Sequence, residues 1–150
     1  MRCLYRSFEL IKISTRGQYA LMTMEVLAEQ PDNSFVSLKK ISHKQNLPVK
    51  YLEQILIQLS KSGLVEGIRG NSGGYRLTKS PEKYTAGEIL SAMEGNLNPK
   101  GIVDNKAVKT KGNEDFWEGF NKTINSYVDS VSLQSIIEKS NENNGYMFYI

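Results

Sequence analysis

The chain has 150 residues, 39% hydrophobic and 23% charged, with a formal net charge of +3, which is ordinary for a folded domain with an appendage. One cysteine, Cys3, and one histidine, His43, exclude an internal disulfide and supply too few ligands for a zinc or iron–sulfur site, so we predict no metal and no cofactor. No apolar stretch approaches the roughly 20 residues of a membrane span, and the N-terminus lacks a signal-peptide pattern, which predicts a cytoplasmic protein without a membrane partner.

Helical periodicity predicts three helices in the first part of the chain. The first is capped by Ser14 or Thr15 and runs to about Gln30, the second begins after Ser37, and the third spans about 48–61. The buried stripe of the third helix is predicted to be Val49, Leu52, Leu56 and Leu59. The short break between the second and third helices is typical of a helix-turn-helix unit.

A hairpin and a fourth helix follow. Two strands are predicted at 64–69 and 75–78, joined by the glycine-rich turn 70–74, and a capping box at Thr85 opens the fourth helix. Three helices followed by a hairpin is the order of a winged helix. We therefore predict a mainly α fold with a small β-wing, in which residues 11–95 form a DNA-binding domain.

The C-terminal part is predicted to hold two copies together. Residues 96–113 form a loop, and 114–139 form a long helix from about Glu114 to Asp129 and a short final one. The apolar stripe of the long helix is predicted to be the seam of a homodimer: Phe116, Phe120, Ile124 and Tyr127. A two-fold dimer would set two recognition helices about one DNA turn apart.

The chain ends are predicted to be less ordered. Residues 1–10 form an extension to which we assign no function. Residues 140–145 are predicted to be a flexible polar linker, followed by an apolar tail: Tyr146, Met147, Phe148, Tyr149 and Ile150. An exposed apolar terminus is unfavourable, so the tail either packs on its own dimer or binds another protein.

Basic residues are concentrated in the helix-turn-helix and the wing. Eight lysines and arginines lie between Val36 and Ser80, against two acidic residues. This pattern fits a surface that meets phosphates and, on charge alone, equally a solvated lysine-rich face. The predicted DNA contacts are Lys39, Lys40, Lys50, Tyr51, Glu53, Gln54, Gln58, Arg69 and Arg76. No nucleophile with a base, carboxylate pair or metal constellation is present, so we predict no catalytic residues and no enzyme activity.

Several motifs resemble the Rrf2 family of bacterial winged-helix transcription regulators. They are ISTRGQYAL at 13–21, SLKKIS at 37–42, KYLEQIL at 50–56, SGLVEGIRGNSGGYRL at 62–77, TAGEILSAMEG at 85–95 and VSLQSI at 131–136. The resemblance implies a regulator that binds double-stranded DNA as a homodimer. The sequence departs from the family pattern at Pro48, where the family usually has a capping serine, and in starting before Lys12.

The resemblance also implies which branch of the family fits. Members that bind an iron–sulfur cluster carry three cysteines before the long helix, whereas residues 95–113 contain none. The ending GYMFYI is similar to that of the cluster-free branch that represses cysteine and sulfur metabolism genes. This branch implies sensing through a partner enzyme, O-acetylserine thiol-lyase (cysteine synthase), with the Ile150 carboxylate in its active site. The alternative is a protein-interaction module that mainly restrains this enzyme through the tail.

Overall fold

The computed structural model describes residues 13–99 and 106–147. The helices are α1 (Thr15–Ala28), α2 (Leu38–Gln45), α3 (Val49–Lys61), α4 (Ala86–Glu94), α5 (Lys111–Ser130) and α6 (Leu133–Met147). The strands β1 (Val65–Ile68) and β2 (Gly74–Leu77) pair antiparallel between α3 and α4, and a 3-10 turn, Pro81–Lys83, precedes α4. The predicted mainly α fold with a small wing is confirmed. The extension 1–10 and the tail residues Phe148, Tyr149 and Ile150 lie outside the described residues.

Local capping explains where three of the helices begin. Ser14, Ser37 and Thr85 each accept, through the side-chain oxygen, a hydrogen bond from the backbone N–H three residues later. The capping box at α4 is complete, because the Glu88 carboxylate also accepts from the Thr85 backbone N–H at 3.2 Å. At the start of α3, Pro48 provides no side-chain cap, in keeping with the departure seen in the sequence.

The core lies where α1, α3 and α4 meet under the wing. Its largest fully buried side chains are Met24, Leu27, Val36, Ile41, Leu52, Ile55, Leu56, Leu59, Val65, Tyr84, Ile89 and Leu133. The hydroxyl of Tyr84 donates to the Leu64 carbonyl at 2.7 Å and accepts from the backbone N–H of Thr78 at 2.9 Å. Because the hydroxyl is satisfied, this buried ring joins the base of the wing to the core without an unpaired polar atom.

The wing is anchored to the segment before α2. Val36 and Tyr75 exchange two backbone hydrogen bonds, at 2.8 and 2.9 Å, beside the ladder that pairs Val65 with Leu77. The two segments approach so closely that a Cβ on Gly74 would lie 2.2 Å from the Val36 carbonyl oxygen. Only glycine fits at this position. The glycine-rich turn therefore allows the wing to pack closely against Val36, in addition to reversing the chain between the two strands.

The junction between α5 and α6 is bound to the start of α4. The Ala86 N–H donates to the Val131 carbonyl at 2.8 Å, and the Leu133 N–H donates to the Tyr84 carbonyl at 3.0 Å. These bonds place Leu133 among the core side chains, so α6 contributes to the core of the winged helix.

Two predictions for the C-terminal part are wrong. Helix α5 begins at Lys111, capped by Thr110, and not at Glu114. Helix α6 continues to Met147, so residues 140–145 are helical and not a flexible linker. The polar residues Ser140–Asn144 have modest helix propensity and Gly145 has a poor one, but a helix begun on packed Leu133 can continue through them. No helix of the described ranges is long and apolar enough to cross a membrane.

Candidate nucleic-acid interface

Helices α2 and α3 form a helix-turn-helix. Asn46 ends α2 in the left-handed conformation, with φ of 51°, and the Leu47 N–H closes the turn on the Ser42 carbonyl at 3.1 Å. The Ser42 hydroxyl donates to the Leu47 carbonyl at 2.5 Å. These bonds confirm the tight break predicted from the sequence and hold α3 in place immediately after α2.

Helix α3 has one buried and one open face. Leu52, Ile55, Leu56 and Leu59 are completely buried. Val49, predicted to belong to this stripe, is 40% exposed, so that prediction is wrong. It is the first residue of the helix, and the turn that precedes it leaves it beyond the edge of the core. The open face presents Lys50, Glu53, Gln54, Ile57, Ser60 and Lys61.

Two residues predicted to lie on the open face do not. The Tyr51 ring is half-buried and packs edge-on against Tyr19, with ring centroids 5.8 Å apart. The Gln58 side-chain amide donates to the Ala92 carbonyl of α4 at 3.2 Å. Both positions lie one helical turn from the buried Ile55, at the edges of the apolar stripe, where the sequence pattern does not decide between core and solvent. These side chains fasten α3 to α1 and α4.

The structure divides the basic residues into paired and free ones. Lys44 pairs with Glu29, Arg76 with Glu66 and Lys79 with Glu88. The other five of the eight basic residues between Val36 and Ser80 are exposed and have no ion pair with any residue of 13–99 or 106–147: Lys39, Lys40, Lys50, Lys61 and Arg69. Counting charges in the sequence therefore overstates how many cations are available to a ligand.

The two wing arginines occupy different environments. The Arg76 Nε lies 2.5 Å from Glu66 Oε1, and its guanidinium carbon lies 4.4 Å from the centroid of the Phe35 ring. Arg69 follows β1 at the glycine-rich turn and is exposed. Arg76 thus has two partners that brace the hairpin, whereas Arg69 is free to reach a ligand.

An open cleft of about 770 Å³ lies between the start of α2, the open face of α3 and the wing. Three of the free cations line it: Lys39, Lys61 and Arg69. It is also lined by three exposed apolar residues: Val49, Ile57 and Ile68. Positive charge from both the helix-turn-helix and the wing therefore converges on one surface, which suits a polyanion lying across both elements.

The described residues do not supply a metal site. Nowhere in the described ranges do three His, Cys, Asp or Glu side chains come together as ligands. The only cysteine of the sequence, Cys3, lies outside those ranges. The donor set present therefore does not fit an iron ion or cluster.

Comparisons with known proteins agree with this architecture. Residues 13–139 match the Rrf2 family, described as an iron-dependent transcriptional regulator. CymR of Bacillus subtilis is 35% identical over 141 residues, covering 93% of this chain and 100% of CymR, and IscR of Cereibacter sphaeroides is 32% identical over 137 residues, covering 85% and 88%. The solved structure of CymR, the global cysteine regulator of B. subtilis, superposes with a TM-score of 0.77 at 33% identity, covering 87% of this chain and 98% of that one. This chain belongs to the Rrf2 family of DNA-binding, winged-helix transcriptional regulators.

Proposed function

We propose that the protein represses genes of cysteine and sulfur metabolism by binding operator DNA as a homodimer in the bacterial cytoplasm. The single observation that carries the DNA-binding part is the cleft between α3 and the wing, lined by Lys39, Lys61 and Arg69. Their positive charge is not cancelled by ion pairs within the described ranges, so it remains available to phosphates.

In this proposal α3 enters the major groove and reads bases. Lys50, Glu53 and Gln54 are exposed in its first half, and the N-terminal residues of a recognition helix meet base edges. Lysine can donate to guanine, glutamate can accept from the cytosine amine, and glutamine can bond adenine bidentately. Tyr51 and Gln58 act as positioning residues, because their side chains are occupied in holding the helix.

The wing and α2 supply the remaining contacts. Arg69 at the turn suits the narrow minor groove, where the potential is most negative. Lys39 and Lys40 lie in the first turn of α2 and Lys61 lies at the end of α3, and all three are proposed to contact phosphates. Arg76, predicted to contact DNA, serves in this proposal to stiffen the hairpin through Glu66.

The homodimer is proposed to form on α5. None of its described residues is buried, although Phe116, Trp117 and Phe120 form a ring cluster with centroids 5.1 to 6.0 Å apart. Phe116 is 60% exposed and Tyr127 is 68% exposed. An apolar helix face of this size is unfavourable in water unless a second surface covers it. A second copy supplies the matching face, as predicted for the seam of Phe116, Phe120, Ile124 and Tyr127.

The pathway is inferred from likeness to CymR. The family is described as iron-dependent, but the described donor set does not fit iron, so we derive no step through a metal. CymR of B. subtilis is a global cysteine regulator, and the ending GYMFYI resembles that of its branch. Sensing is therefore proposed to depend on a protein partner.

A second function is proposed for the tail. Helix α6 continues to Met147, and Phe148 to Ile150 follow it in the sequence. We propose that this apolar tail binds O-acetylserine thiol-lyase, with the Ile150 carboxylate in the site of the substrate carboxylate. Deleting 148–150 should abolish enzyme binding and leave the dimer intact, and O-acetylserine should displace the full chain. Equal enzyme affinity of both proteins, measured by titration calorimetry, would contradict this role.

The DNA-binding proposal is tested by selecting bound sequences from a random DNA pool with the purified full chain. We expect enrichment of a two-fold symmetric site with half-sites about one helical turn apart. Affinity for this site should exceed that for unrelated DNA by at least about 10³-fold at physiological salt. If no sequence is enriched, the proposed function is overturned.

A further inference from the structure

Val49 is an apolar residue that is exposed and does not belong to the buried core. It is the first residue of α3 and is 40% exposed, whereas the buried stripe begins one turn later at Leu52. Its neighbours Pro48 and Lys50 are also exposed. A branched apolar residue therefore lies exposed at the first position of the proposed recognition helix.

The surroundings of Val49 are open on two sides. It lines the cleft that reaches the wing and also a second recess bordered by Lys39, His43 and the turn 46–48. No side chain of the described residues covers it enough to bury it. Single exposed apolar residues are common on protein surfaces, but this one occupies the part of a recognition helix that meets base edges.

The chemistry of the major groove then limits what Val49 can contact. Bases present donors and acceptors there, and the thymine C5-methyl is the one apolar group among them. A phosphate oxygen would favour the neighbouring lysines over a valine. We infer that Val49 packs against the methyl group of a thymine in each half-site and so determines specificity at that base pair, an inference that rests on the proposed placement of α3.

Ile57 provides a matched control on the same helix. It is 44% exposed and also lines the cleft, but it lies eight residues further along α3, about 12 Å along the axis. From there it faces the wing, where the sugar–phosphate strand between the two grooves would pass. Its truncation should weaken binding without regard to any thymine methyl.

The test uses the purified full chain and the DNA site selected from the random pool. Each thymine of a half-site is replaced singly by deoxyuridine, which removes only the methyl group. For the unchanged protein we expect about fourfold weaker binding at one thymine, the loss for one methyl-sized apolar contact. For Val49→Ala this effect should vanish at that position, whereas Ile57→Ala should retain it. Val49→Thr, which keeps one branch methyl, should retain part of it.

The outcomes separate the inference from the proposed function. A deoxyuridine effect of equal size in the unchanged protein and in Val49→Ala, or no effect at any thymine, would overturn the inference while specific binding stands. Failure to enrich any sequence would overturn the proposed function and the inference with it. The free energy of unfolding of the three variants should stay within about 1 kcal/mol of that of the unchanged protein, since Val49 and Ile57 are both exposed and neither belongs to the buried core.

Discussion

Helices α3 and α5 are both amphipathic, but their apolar faces meet different fates. The 13 residues of α3 include four that are completely buried, whereas the 20 residues of α5 include none. The face of α3 is covered by α1, α4 and the wing of the same chain, and α5 packs on α4 while its aromatic cluster stays open. An apolar periodicity thus establishes that a helix has a face to cover, and the rest of the fold decides what covers it.

The largest expected effect comes from placing charged residues on the exposed apolar face of α5. Phe120→Asp with Ile124→Asp would place two charges in the proposed seam, where burial without partners costs several kcal/mol or more. We expect a monomer by sedimentation, with loss of specific DNA binding and a winged helix that remains folded by circular dichroism.

Lys122→Asp is the matched control for that double variant, because it changes the net charge equally and Lys122 lies on the opposite side of α5. It should remain a dimer. If the double variant also sediments as a dimer, the seam lies elsewhere.

The covered face of α3 gives the next largest effect. Leu56→Ala removes a fully buried side chain and should lower the free energy of unfolding by about 2–5 kcal/mol. The adjacent Ile57→Ala, on the open face, should change it by less than about 1 kcal/mol. Chemical unfolding at one protein concentration measures the free energy of unfolding of both variants. Similar losses in the two variants would contradict the difference in burial between Leu56 and Ile57.

Arg69→Ala tests the open surface of the wing. It should weaken binding to the selected DNA site by about 1–3 kcal/mol if the side chain makes a groove contact. Lys139→Ala, which removes one exposed cation from α6, is the control and should have little effect. If fluorescence anisotropy shows that Arg69→Ala binds the selected DNA site with unchanged affinity, the proposal that the wing contacts DNA through Arg69 is refuted.

Lys40→Ala should act more evenly than Arg69→Ala. Loss of one phosphate contact lowers the slope of log affinity against log salt by about one, for specific and unrelated DNA alike. The paired Lys44→Ala is the control, since Lys44 already has Glu29 as a partner. Equal salt slopes for Lys40→Ala and the unchanged protein would remove Lys40 from the interface.

The smallest effect is expected where α6 meets α1. Burial raises the pKa of the Glu25 carboxyl above its usual value of 4.5, and the bond from Ser140 Oγ, at 3.5 Å, offsets this only in part. The folded protein therefore holds this proton to higher pH than the unfolded chain does, and stability is lost as pH rises through the raised pKa. Glu25→Gln should raise the free energy of unfolding at pH 7, and this gain should disappear below pH 4.5, where Glu25 is protonated in the unchanged protein. The control Glu142→Gln, at an exposed position, should not raise the free energy of unfolding at pH 7. Equal unfolding curves at pH 7 would contradict this.

The sequence predicts what depends on neighbours along the chain. The caps at Ser14, Ser37 and Thr85 and the turn before α3 are local, and each follows from a few adjacent residues. The pairing of Arg76 with Glu66 depends on strand register, and the contact of Gln58 with Ala92 depends on how two helices cross. Such contacts are set by tertiary packing, which is why the sequence alone does not predict the intramolecular partners of Arg76 and Gln58.

Leu133 has a consequence for how the protein is made. This residue of α6 is fully buried in the winged-helix core, although α3, the wing and α4 all precede it in the chain. Until α6 has left the ribosome, the nascent winged helix therefore lacks one of its core side chains, and the backbone bonds to Tyr84 and Ala86 then close a long loop. A fragment ending near residue 95 would retain every proposed base-reading side chain and lack a complete core to hold them.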